Sequence, residues 1–137
     1  MGNEILTEKV SVNINTSTLS SIDLLVDNGY YSNRSDFINQ AIREGVQKHQ
    51  STIDRIIDKK TSGSGDPDLW FIGVYGLEKE VVETAKERGE TMEIKGYGVL
   101  VISDDVDEGV LFEVVSSIKV KGKTVCKKTI KEHYGLK

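Results

Sequence analysis

Six residues near the amino end, Lys9-Val10-Ser11-Val12-Asn13-Ile14, alternate polar and apolar with a period of two. That alternation reads as a half-buried β-strand with Val10, Val12 and Ile14 on one face and Lys9, Ser11 and Asn13 on the other. The apolar positions that follow, up to residue 60, fall at helical spacing, so the strand has no mate close by in sequence. An unpaired strand leaves its N–H and C=O groups without ladder partners, and two short helices cannot cover its apolar side. A second copy of the chain is the cheapest mate: two antiparallel strands meet across a twofold axis, with four helices beneath them and one shared core. The alternation therefore predicts an obligate homodimer with a core of Val10, Val12 and Ile14, joined by Ile38 and Ile42 from the second helix.

The helices are bounded by recognisable signals. Asn15-Thr16-Ser17-Thr18 offers side-chain oxygens that cap helix N–H groups, Leu19, Ile22, Leu25 and Val26 follow at helical spacing, and Asn28-Gly29 stops the run. After the turn Tyr30-Tyr31-Ser32, the opening Asn33-Arg34-Ser35-Asp36 leads into a stripe of Phe37, Ile38, Ala41, Ile42, Gly45 and Val46. His49, Ile53, Ile56 and Ile57 continue that spacing, so the second helix is expected to run toward Asp58, with Gln50-Ser51-Thr52 as a plausible break.

The outer face of such a ribbon carries two copies of Lys9, Ser11 and Asn13, and a two-stranded ribbon fits the major groove of B-DNA, where these groups can meet base edges. The run from Lys9 to about Gln50 resembles the ribbon-helix-helix DNA-binding domain of the CopG/Arc/MetJ superfamily. The resemblance rests on the alternating strand, on Gly29 ending the first helix, and above all on the segment from Asn33 to Gly45. It implies that Lys9, Ser11 and Asn13 read bases, while Asn33, Arg34 and Ser35 grip backbone phosphate. A helix N-terminus independently suits a phosphate, because its N–H groups are unsatisfied and its dipole is positive there. Simple capping by Asn33 and Ser35, and a solvated Arg34, are the blander readings. Lys9 is the lone basic residue among the first 33 positions and Asp36 sits beside the expected phosphate site; both weigh against strong binding.

Thr61-Ser62-Gly63-Ser64-Gly65-Asp66-Pro67-Asp68 holds the sole proline and reads as a flexible linker. The chain of 137 residues thus divides into residues 1–60, a ribbon-helix-helix DNA-binding and dimerisation domain; 61–68, a tether; and 69–137, an oligomerisation or effector domain. Net charge is −4, so a nucleic acid must be held by local geometry rather than by a field over the whole molecule. The apolar runs fall far short of the roughly 18 residues a membrane span needs, and no basic segment leads into an apolar one at the amino end. With one cysteine, Cys126, a cytoplasmic protein is expected.

In the second half, Leu69 to Tyr75 reads as a buried strand, and Leu77, Val81, Val82 and Ala85 as a helix ending near Arg88-Gly89. Met92–Ile94 and Tyr97–Ile102 read as strand, with Gly96 and Gly98 marking a bulge or a close approach. Val110, Leu111, Val114, Val115 and Ile118 read as a helix behind an acidic start, Asp104 to Glu108. Strand returns from Ile118 to Val120, and Lys127–Tyr134 closes as a short helix. Such alternation suggests a small parallel α/β unit, with a short solenoid as the alternative, for which three or fewer repeats are marginal. Lys119, Lys121, Lys123, Lys127, Lys128 and Lys131 form the one basic cluster, read either as a solvated face or as a second phosphate contact.

His49, His133 and Cys126 are too few for a soft four-ligand metal site, the acidic run lacks calcium-loop spacing, and the glycines lack the Gly-Lys-Ser/Thr of a phosphate loop. No metal, cofactor or catalytic residue is expected. The fold class is α+β: an amino-terminal ribbon-helix-helix with a dimeric two-stranded antiparallel ribbon, followed by a small C-terminal α/β domain. The leading function is a sequence-specific DNA-binding transcriptional regulator, a repressor by resemblance, with double-stranded DNA and a second copy as partners, higher oligomers through the C-terminal domain left open, and no membrane. The alternatives are an antitoxin with DNA-binding autoregulation, and a self-assembling interaction protein that binds no DNA.

Overall fold

The computed structural model describes residues 7–62 and 68–136. The chain forms two compact units, Lys9–Ser62 and the remainder. Positions 63–67 of the expected linker lie outside the described residues.

Three helices make up the first unit: α1 (Thr16–Asp27), α2 (Arg34–Lys48) and α3 (Gln50–Thr61). Asn15 caps α1 by accepting from the Ser17 N–H at 2.8 Å. Its far end closes as the Asn28-Gly29 pair requires: the Tyr30 N–H donates to the Leu25 carbonyl and the Gly29 N–H to the Val26 carbonyl, with Gly29 at φ +82°. A single long second helix is not what forms. The backbone leaves helical geometry at His49 (φ −106°, ψ 11°), one residue before the expected break, so the unit has three helices where two were expected.

Residues 9–14 belong to no strand, so the expected antiparallel ribbon is not present in the single chain. The reason is physical: a strand is defined by its ladder, and one copy provides no mate. Val10 and Val12 are 75% and 74% exposed, and Leu24, Ile42, Val46 and Ile56 are exposed as well. Ile22 is the only buried apolar side chain described in this unit. A body with so little interior has almost nothing to offset its chain entropy.

The second unit is the small parallel α/β fold that alternation suggested. Its elements are β1 (Leu69–Leu77), α4 (Lys79–Glu87), β2 (Met92–Ile102), α5 (Glu108–Val114), β3 (Val115–Val125) and α6 (Lys128–Tyr134). The strands are parallel in the order β1-β2-β3. One sheet face packs with the helices around Leu77, Ile94, Leu100, Leu111 and Ile130, all essentially without solvent contact. Two boundaries differ from expectation: Leu77, expected in the helix that follows, is the last residue of β1, and β3 starts earlier than expected. Strand β2 runs unbroken through Gly96 and Gly98, where the close approach rather than the bulge is what forms, while α5 ends at Val114, so that Val115 and Ile118 belong to β3. Helix passes into strand there without a loop. The Tyr134 hydroxyl donates to the Val115 carbonyl at 2.8 Å and lies 3.2 Å from that of Leu111, which already accepts from the Val115 N–H, so the junction is pinned from α6. A bulge at Met92/Glu93 absorbs the extra residue, Ser116.

Candidate nucleic-acid interface

Position 33 starts the site. Asn33 sits in extended geometry and its side chain accepts from the Asp36 N–H at 2.8 Å, while the Asp36 carboxylate accepts from the Ser32 N–H at 3.0 Å. The two bonds fix the entry into α2, and Tyr31 packs edge-on against Phe37 with ring centroids 4.9 Å apart, pinning the turn from the apolar side. Capping satisfies the third N–H of the helix. Those of Arg34 and Ser35 find no acceptor among the described residues and stay open at the positive end of the dipole.

Arg34 is not simply solvated. Its Nε and one terminal nitrogen donate to the two carboxylate oxygens of Asp23 on α1, at 2.7 and 2.9 Å. This two-pronged pair holds the Asp23 carboxyl below its usual range, chiefly through the hydrogen bond from Arg34, and raises the Arg34 guanidinium by the same bond. Both side chains remain about half exposed, so the guanidinium stays at the surface. Asp23 gave no sign of this role in the sequence, because a partner eleven positions away becomes visible only when α1 and α2 pack. Ser35 is exposed, and its hydroxyl holds no partner among the described residues. The Asp36 carboxylate is engaged with the Ser32 amide, which accounts for an acid tolerated at this point.

Lys9, Ser11 and Asn13 are all exposed, as are Val10 and Val12 on the opposite face of the alternation; Ile14 is on the margin of exposure and Ile38 is half-buried. A family model described as the Ribbon-Helix-Helix transcriptional regulator family matches residues 5–131. The chain belongs to that family. No curated protein and no solved structure matches it. In this ribbon-helix-helix regulator the residues expected to read bases and those expected to hold phosphate all lie in the unit Lys9–Ser62. The family match extends well beyond that unit and takes in the whole parallel sheet.

Asp107, in the acidic run, caps α5 by accepting from the Val110 N–H at 3.2 Å. Among the described residues no group of three or more His, Cys, Asp and Glu side chains is placed to share a metal ion, and no helix is long and apolar enough to cross a membrane. Burial pushes the Cys126 thiol up, partly countered by Lys131, so it is a poor nucleophile.

Proposed function

We propose that this transcriptional regulator is a sequence-specific DNA-binding repressor that acts as a homodimer. Residues 9–14 of two copies pair as an antiparallel ribbon. The pairing turns Val10, Val12 and Ile14 inward with Ile38 and Ile42, and presents Lys9, Ser11 and Asn13 to base edges in the major groove. The N-terminus of α2 then takes a backbone phosphate on the Arg34 and Ser35 amides, with the Arg34 guanidinium beside it and Asn33 holding the turn. Residues 61–68 tether this unit to residues 69–137, a separate assembly or effector unit.

The observation that carries the reading is the exposure of Val10 and Val12. Leaving two valines in water on the apolar face of an alternating segment costs about 1.5–3 kcal/mol each relative to burial, and pairing two copies recovers it. The test is selection of DNA from a random pool by the purified protein, followed by binding measurements on two variants. Arg34→Ala should weaken binding about equally on every sequence and flatten its salt dependence, whereas Asn13→Ala should change the preferred sequence. Failure to enrich any duplex sequence, or the same effect from both variants, refutes the reading.

A further inference from the structure

The sheet of the second unit has a face that none of the unit's described helices covers. Parallel sheets are nearly always buried on both sides, yet here Ile72, Val74 and Tyr97 are 51%, 58% and 53% exposed. Strand register arranges this face in rows: Trp70, Lys95 and Lys119; then Ile72, Tyr97 and Lys121; then Val74, Val99 and Lys123. Each row has an apolar or aromatic residue on β1 and an ammonium on β3; the β2 member is Lys95 in the first row and Tyr97 and Val99 in the other two. The rows repeat every two residues, about 6.6 Å apart. Trp70 and Tyr97 touch edge-to-face, with centroids at 6.4 Å. Lys95 is neutralised by Glu93 at 3.3 Å, but Lys119, Lys121 and Lys123 have no ion-pair partner among the described residues. Glu8 lines a recess with Lys121 and Lys123 without pairing to either.

We propose that this face binds single-stranded DNA, with bases stacked on Trp70 and Tyr97 and successive phosphates running along Lys119, Lys121 and Lys123. A ligand for these rows needs regularly spaced negative charge on one side and flat apolar surface on the other, which describes an unpaired strand. Duplex DNA would satisfy the lysines, but its stacked bases leave the rings in water. A second copy of the chain would cover the rings, but would have to bury or oppose unpaired ammonium groups. Edge protection explains lysines on an outer strand and leaves Trp70 and Tyr97 unexplained.

Trp70 is the single tryptophan of the chain and reports on the site directly. Titration of the full-length protein with a dT oligonucleotide should quench its emission to saturation. Log affinity should fall with log salt at a slope of about −2, as three phosphate contacts give on a single strand. Tyr97→Ala should weaken binding about fivefold or more, and replacing Lys119, Lys121 and Lys123 by Gln should abolish most of the salt slope. Both changes are on the surface, and circular dichroism should report an unchanged fold. Asn13→Ala should leave dT binding untouched, so a failed operator experiment and a failed single-strand experiment are distinguishable. No quenching from a folded protein overturns the proposal. So does a duplex of equal length that competes as well as dT, or a change of molecular mass in the Tyr97 and lysine variants with dT affinity unaltered.

Discussion

Adding one methyl group at position 98 should cost the second unit a large part of its stability. Gly73, Gly98 and Gly122 stand side by side across the three strands, with φ of +100°, +122° and +142°. A Cβ on Gly98 would overlap the carbonyl oxygen of Gly73 and come within 2.9 Å of its carbon. The obstacle is backbone, which no rotamer change relieves. Forcing alanine into such a conformation costs about 1–3 kcal/mol. Parting β1 from β2 enough to admit the methyl group weakens about two ladder hydrogen bonds at roughly 1 kcal/mol each. The total for Gly98→Ala is about 3–5 kcal/mol, against about 5–15 kcal/mol for a typical domain. Gly89 is the comparator. It too has positive φ (+65°), but nothing lies within 4 Å of its would-be Cβ, so Gly89→Ala should cost only about 1 kcal/mol. Urea unfolding followed by Trp70 fluorescence, which reports on this sheet, measures both. If the two variants unfold within about 0.5 kcal/mol of each other, the close approach of the strands is not what reserves position 98 for glycine.

Four further outcomes follow from the geometry. Asn33→Ala removes the α2 cap and should cost about 1 kcal/mol by chemical denaturation; an unchanged midpoint would mean that the cap contributes nothing. Val12→Asp should leave a poorly folded monomer of the first unit by sedimentation and circular dichroism, since on the proposed reading it buries an unpaired charge between two copies; a well-folded monomer contradicts a shared core. Asp23→Asn releases Arg34 and should raise affinity for every DNA sequence while steepening the salt dependence by about one phosphate contact; weaker binding would mean that Asp23 positions the guanidinium. Burial pushes the Tyr134 hydroxyl from 10.0 up to about 12. The unfolded chain therefore ionises first, and stability that is whole below pH 10 should be lost as pH rises toward 12. Tyr134→Phe should remove that part of the alkaline loss, as followed by thermal melts across the window.

Much of the fold was legible because it is locally encoded. Asn28-Gly29 ended α1 where a left-handed residue was needed, Asn33 capped α2, and alternating strand and helix patterns foretold a parallel sheet. Local reading failed where neighbours in space overruled neighbours in sequence. Val114, Val115 and Ile118 keep helical spacing, but Val115 and Ile118 are claimed by β2 through its ladder and by the core, while the Tyr134 hydroxyl donates to the Val115 carbonyl. Gly96 and Gly98 left two readings open, a bulge or a close approach, and the close approach is the one that forms. In the sheet they let the strand continue, with Gly96 making room for the Phe71 ring, which a Cβ there would meet at 2.5 Å.

Taken alone, the order of residues determined where most helices start and stop and which side of each segment is apolar, including the alternation of residues 9–14 on which the proposed ribbon rests. These are properties of a few consecutive side chains and of backbone groups that must be satisfied close at hand. Tertiary structure alone decided that Arg34 meets Asp23, that three glycines 24 or 25 positions apart share one row, and that Trp70 and Tyr97 join the face on which alternation had already put Lys119, Lys121 and Lys123. Those facts are set by strand register and helix packing, which sum weak contacts over the whole unit and leave no mark at any single position.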